Sequence, residues 1–291
     1  MRLGYFAMPL HPPGADPATT MDDDLAQLAT LDRLGYEEAW IGEHFTAQWE
    51  NIPCPDLFIA RALGMTKKMK LATGVSCLPN HDPLMLAQRI AQLDQMARGR
   101  FYWGVGSGGF PGDFEMFGVD PKSGEHRVIT REILDTVLAL WEDAKPGTYE
   151  GRDRRWRFSV PQPQPDIGLR LHLKPYQRPH PPIGVAGVSA GRDYRDYFLR
   201  LLPKLRGFDM LKVDPAMPDA EVTLEYLCDN IWIVGSPDTV ARKLAKLSGD
   251  VGGFGTLLVI AHEWTPRGAW ERSMRLLKDK VLPRLGRRSR S

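Results

Sequence analysis

The chain has 291 residues, of which 43% are hydrophobic and 25% charged, with a formal net charge of +2 at pH 7. This is globular composition with enough chain for one large core, and it lacks the basic excess of a nucleic-acid binder. No apolar run approaches the about 18 residues of a membrane span. The start, MRLGYFAMPL, reads as a strand rather than a leader, so a cytoplasmic location is expected. Three cysteines, Cys54, Cys77 and Cys228, form neither a CxxC pair nor an even disulfide framework, which fits a reducing compartment. The histidines show no metal-ligand spacing, and no metal is expected. Arg284, Arg287, Arg288 and Arg290 read as a solvated tail.

In chain order, Leu3–Met8 reads as a buried strand, followed by a Pro- and Gly-rich loop. Met21–Leu34 reads as a helix with an acidic first turn, Asp22-Asp23-Asp24, which suits the positive end of a helix. Glu37–Gly42 is the second strand and Asp56–Met65 the next helix. Leu71–Leu78 is a third strand, broken by Pro79-Asn80-His81-Asp82-Pro83. A helix follows, with Asp82 as its cap, Pro83 at its first position, and Leu84, Leu86, Ile90, Leu93 and Met96 along it. Phe101–Val105 is a fourth strand, running out into glycines. Residues 110–121 read as a loop, Glu125–Trp141 as a long helix, and Gly147–Phe158 as a hairpin outside the core. After a proline-rich stretch, Ile183–Val188 is a fifth strand. Asp193–Leu205, Val222–Cys228 and Pro237–Leu247 read as helical, the last capped by Ser236. Ile231–Val234 supplies a further strand at most, Gly255–Ala261 is the last good strand, and Trp264–Leu285 holds the closing helix.

This strand–helix alternation predicts an α/β fold with a parallel sheet. A closed TIM (β/α)8 barrel needs eight strands. Six are well marked here, and the shortfall lies between Ala190 and Gly255.

Parallel strands place ligands at their carboxyl ends, where small residues leave space and bare backbone N–H groups. Gly74-Val75-Ser76 and Gly104-Val105-Gly106-Ser107-Gly108-Gly109 are such ends. The second run lacks the full dinucleotide fingerprint, and a bare glycine loop alone is a weak signal, but phosphate binding by its backbone N–H groups is physically reasonable. His44 follows the second strand and should stand at the same mouth. An imidazole there can move a proton near neutral pH, or it can be a structural, hydrogen-bonded ring. Phe45, Trp49, Asn51, Phe110 and Phe114 are candidates to line an apolar substrate pocket, or to pack loops. Cys77 reads as a buried thiol.

Five segments carry a resemblance: GYEEAWIGEHF (35–45), TGVSCLPNHDP (73–83), LDQMARGRF (93–101), FEMFGVDP (114–121) and YQRPHPPI (176–183). In this order they resemble the bacterial-luciferase-like family of FMN-dependent monooxygenases. DNIWIVGSP (229–237) and GGFGTLLV (252–259) are similar to its limonene monooxygenase branch. The resemblance implies a single TIM-barrel domain over residues 1–291. It implies reduced FMN from a separate flavin reductase, O2 as co-substrate, and a small apolar substrate such as a monoterpene. It also implies homo-oligomers. By the same resemblance His44 lies beside the reactive edge of the flavin. Gly74, Val75 and Ser76 form a kinked strand, often with a cis peptide, against the ring, and Gly106, Ser107, Gly108 and Ser189 serve the phosphate.

The chain departs from the family pattern in three places. Many members have two adjacent histidines where Glu43-His44-Phe45 stands. Several carry arginine at the position of Ser107. About two strand–helix units of the family pattern are not found between Ala190 and Gly191. Either the sequence omits residues that the protein contains, the reading favoured because a true deletion would expose unpaired strand edges, or the protein lacks them. The alternatives are a deazaflavin-dependent hydride-transfer oxidoreductase of the same fold, and a non-catalytic flavin-binding barrel.

Overall fold

The structure, a computed structural model, describes residues 1–7, 10–184, 211–214, 216–260 and 266–286. Strand β1 (Arg2–Ala7), helix α1 (Pro17–Leu34), β2 (Glu38–Ile41), α2 (Pro55–Met65) and β3 (Lys70–Thr73) open the chain. The short β4 (Ser76–Cys77), α3 (Pro83–Ala97) and β5 (Phe101–Gly106) follow. The sheet is parallel, with β4 and β8 (Ile183–Gly184) on β5, then β3, β2, β1 and β9 (Thr256–Ile260). These are barrel neighbours in sequential order, the arrangement that right-handed strand–helix crossovers give.

The residues of each strand divide between two faces. Leu3, Tyr5, Phe101 and Trp103 are buried on the helix side. There the Tyr5 hydroxyl donates to Gln27 of α1 at 2.5 Å. Trp103 meets Trp141 of α5 (Glu125–Asp143) edge-on at 5.1 Å. Trp40 points the other way. Its ring closes on the Cβ positions of Gly104 and Gly184, on β5 and β8, although β2 is separated from β8 by β3 and β5. A flat sheet does not allow that contact, so the sheet curls with Trp40 on its concave side. Among the described residues the curl does not close: β8 and β9 are its two ends.

Local chemistry explains most element boundaries. The Asp82 carboxylate accepts the Met85 N–H at 2.9 Å and Pro83 starts α3, as the sequence implies. Asp82→Ala is expected to cost about 1 kcal/mol, read as a lower urea midpoint at unchanged slope. Ser236 caps α7 (Pro237–Asp250) in the same way. The antiparallel pair β6 (Gly147–Glu150) and β7 (Arg157–Val160) forms the expected hairpin.

Several expectations are corrected. Helix α1 starts at Pro17, because Asp16 accepts the Thr19 N–H at 2.9 Å and Pro17 sets the first turn. Asp22, Asp23 and Asp24 therefore lie one turn deeper, where they pair with Arg61, Arg267 and His11. Residues 110–121 are not all loop: α4 (Pro111–Met116) starts there. The strand expected over Leu71–Leu78 is interrupted by a cis Gly74–Val75 peptide, which divides it into β3 and β4.

Ile231–Val234 is not a strand. Helix α6 (Leu224–Tyr226), capped by Thr223, runs on as helix through Ile231. Trp232 is then buried in a local cluster with Leu10, Leu211, Val222 and Leu227, and that apolar contact replaces sheet pairing. The last described element is α8 (Arg267–Leu276), continued as helix to Gly286. Met8, the rest of the fifth strand (Val185–Val188), Ser189, the Ala190–Gly191 junction and the 193–205 helix lie outside the described residues. So do Ala261, His262, Trp264, Arg287, Arg288 and Arg290. Among the described residues no helix is long and apolar enough to cross a membrane.

Candidate active site

The carboxyl ends of β2, β4 and β5 converge on one mouth. The Gly74 N–H donates to the Ile41 carbonyl at 2.6 Å, and β4 pairs with the last residues of β5, Ser76 with Val105 and Cys77 with Gly106. Val75 lies against Gly106, where a Cβ would sit 2.6 Å from its methyl group. The two small-residue ends singled out from the sequence are therefore in contact. The Ser76 side chain is buried and its hydroxyl accepts the Trp103 indole N–H at 3.2 Å, so Ser76 offers the mouth only backbone. Gly108, at φ 76°, turns the chain over Cys77 and Phe114. The N–H groups of Gly108, Gly109 and Phe110 find no acceptor among the described residues.

His44 stands at this mouth between two carboxylates. Its Nε2 is 2.8 Å from Glu50 and its Nδ1 3.8 Å from Asp113. Phe110 meets the imidazole edge-on at 5.3 Å. Asp113, on α4, also accepts the N–H groups of Phe45 and Thr46 and the Thr46 hydroxyl. That fixes the turn carrying His44, and only glycine at 112 allows α4 so close to Thr46. Burial alone would lower the proton affinity of His44. The hydrogen bond and charge of Glu50, then the charges of Asp113 and Glu43, more than offset it, and the pKa is raised. The buried Nδ1 has no hydrogen-bond partner among the described residues.

A second carboxylate anchors the same region. Glu43 is buried, and it accepts from the Cys77 N–H at 3.3 Å and faces His81 Nε2 at 2.9 Å. The Cys77 thiol beside it is pushed well up, by burial first and then by the charges of Glu43 and Asp113, so it is not a nucleophile.

The five pocket candidates separate. Phe110 and Phe45 stay at the mouth, Phe45 edge-on to Phe117 at 5.0 Å. Phe114 is buried beneath it, packed on His126. Trp49 joins the cluster around Trp232, and the Asn51 amide donates to Thr20 of α1. Both contacts hold the loop after β2 in place. Glu43, Glu50, Asp113 and His81 were not singled out from the sequence. The one available signal was the adjacency of Glu43 to His44. Among the described residues no group of three or more His, Cys, Asp or Glu could hold a metal ion.

The family model described as "Luciferase-like monooxygenase" matches residues 1–195. The chain belongs to the luciferase-like monooxygenase family. Within that family it is 32% identical to 4-hydroxyprotoasukamycin monooxygenase of Streptomyces nodosus subsp. asukaensis, over 97% of this chain and 91% of that protein. It is 26% identical to limonene 1,2-monooxygenase of Rhodococcus erythropolis, over 97% and 86% of the two chains. One similar solved structure is the oxygenating constituent of 3,6-diketocamphane monooxygenase from Pseudomonas putida, a type II Baeyer–Villiger monooxygenase in complex with FMN. It has a TM-score of 0.82, 25% identity, and coverage of 97% of this chain and 98% of that one.

Proposed function

We propose that this luciferase-like protein is an FMN-dependent monooxygenase that uses reduced FMN and O2 to oxygenate a small apolar, terpene-like substrate. The observation that carries the reading is His44, held between Glu50 and Asp113 at a mouth that the Gly74–Val75 and Gly106–Gly109 segments also border. That mouth fits a flavin. Among the described residues the N–H groups of Gly108, Gly109 and Phe110 have no acceptor and are donors suited to anionic oxygens, and the buried His44 Nδ1 has no hydrogen-bond partner there. With Ser107 at the arginine position, backbone takes a larger share of phosphate binding. Ser189, outside the described residues, is proposed to add to it.

Bound FMN supplies the electrons and the oxygen-activating chemistry. The chain supplies the rest. Val75 and Gly106 give a shelf for the ring, and Phe45, Phe110 and Phe117 keep water from the mouth. His44 holds a proton next to the reacting atoms. A separate flavin reductase provides reduced FMN, in keeping with a similar structure that is itself only the oxygenating constituent of its system.

We further infer that about two strand–helix units of the barrel are absent between Ala190 and Gly191, within one domain. The alignment with the Streptomyces relative spans 341 positions against 291 residues here, and the described strands leave their opening between β8 and β9. The functional test is turnover of monoterpenes and bicyclic ketones with chemically reduced FMN under 18O2. One labelled oxygen per product is expected. Oxygen-independent hydride transfer with a deazaflavin would contradict the proposal.

A further inference from the structure

A row of charged and polar side chains leads from the outer helices to the mouth. Arg89 of α3 pairs through Nε with Asp56 of α2 at 2.8 Å. Its Nη2 lies 3.3 Å from His81 Nδ1. His81 Nε2 lies 2.9 Å from one Glu43 oxygen and 3.0 Å from the other. Glu43 in turn accepts the Cys77 N–H at 3.3 Å, with Asn80 Nδ2 at 3.5 Å. Glu43 is the residue before His44, and Cys77 closes the segment that begins at the cis Gly74–Val75 peptide.

The row has a direction. A guanidinium only donates and a carboxylate only accepts, so His81 satisfies both neighbours in a single tautomer, with its proton on Nε2 and its lone pair on Nδ1. Asp56 aims the guanidinium, the guanidinium selects the tautomer, and the tautomer fixes the Glu43 carboxylate. The chain invests a nearly inaccessible carboxylate in tying two mouth segments together, at a place where a buried charge is costly unless several donors meet it.

We propose that Glu43 is a positioning residue that ties the Val75–Cys77 segment to the base of His44, and that Asp56, Arg89 and His81 set its orientation from outside the barrel. The proposal rests on the reading of the mouth as an FMN site. Glu43 would act through the backbone of the Val75–Cys77 segment that would hold the flavin, so its loss weakens flavin affinity more than it slows turnover at saturating flavin.

The test uses the full chain as wild type, Arg89→Leu, Arg89→Lys, Glu43→Gln, and Arg89→Leu with Glu43→Gln. Reduced-FMN affinity, turnover at saturating FMN and the 15N shifts of the His81 ring are measured, and thermal melts establish that each variant is folded. The wild-type ring should carry its proton on Nε2. Arg89→Leu and Glu43→Gln should each weaken FMN binding by about tenfold with turnover changed far less. Arg89→Lys should recover part of the loss. The double variant should be no worse than Glu43→Gln, because both changes interrupt one row. Arg89 is half-exposed, so Arg89→Leu carries the test alone should Glu43→Gln not fold. Unchanged affinity in folded variants, losses that add in the double variant, or a ring protonated on Nδ1 would overturn the inference by itself. A wild type that binds no reduced FMN would overturn the functional reading and this inference with it.

Discussion

Replacing His44 with asparagine is expected to lower turnover at saturating reduced FMN by about 10²–10³-fold, with flavin affinity little changed. Asparagine keeps a polar group of similar reach but holds no transferable proton. The environment of His44 makes the proton available at neutral pH. Burial opposes the charged ring, but Glu50 at 2.8 Å, then Asp113 and Glu43, raise its pKa above the ordinary 6.5.

The sign of the pH dependence follows. A histidine whose folded-state pKa is raised contributes stability that is fully present below its unfolded value, near 6.5, and is lost as pH rises through the folded value. Proton donation declines over the same window. Rate and denaturation midpoint should therefore both fall on the alkaline side in wild type, and His44→Asn should flatten both. Glu50→Gln removes the largest raising partner and should shift the wild-type profile to lower pH. Full activity in His44→Asn, or a pH profile indifferent to Glu50, would exclude His44 as the proton carrier.

Gly104→Ala is expected to be the most damaging single methyl group in the barrel. A Cβ at that position would overlap the Thr73 carbonyl oxygen and stand 3.0 Å from the Trp40 ring. Neither can retreat easily. Thr73 is the last residue of β3 and also binds the Gly104 carbonyl through its hydroxyl at 2.8 Å, while Trp40 is wedged over Gly74, Gly104 and Gly184. Overpacking of this kind costs about 3 kcal/mol, which lowers the melting temperature by roughly 6–12 °C in a chain of this size. Gly64→Ala is the control. It lies in α2 with nothing within 4 Å of its added methyl, and should gain about 0.5–1 kcal/mol. Equal melting temperatures for the two variants would mean that Gly104 does not pack against the Thr73 carbonyl and the Trp40 ring in this way.

The α/β alternation was legible through Gly106 because its punctuation is local. Asp82-Pro83 and Ser236-Pro237 cap helices with atoms three residues away, and Gly35 turns the chain at φ 82°. Family membership was legible from ordered motifs. What was not legible depends on which residues the fold brings together. Asp113 and Glu50 are two among 36 acidic residues, and nothing near them in sequence marks them as partners of His44. Whether Trp40 faced the helices or the concave side depended on the register with β1 and β3. Ile231–Val234 was ambiguous for another reason, since a short apolar run packs equally well as a strand or against a local cluster.

The central claim is that the flavin ring lies on the shelf formed by Val75 and Gly106, with the imidazole of His44 beside it. A crystal structure of the FMN complex tests this most directly. The account requires the ring in contact with the Gly74–Val75 backbone and His44, and the phosphate on the N–H groups of Gly108–Phe110. A flavin bound anywhere else on the chain, with this mouth filled by protein side chains, would contradict it.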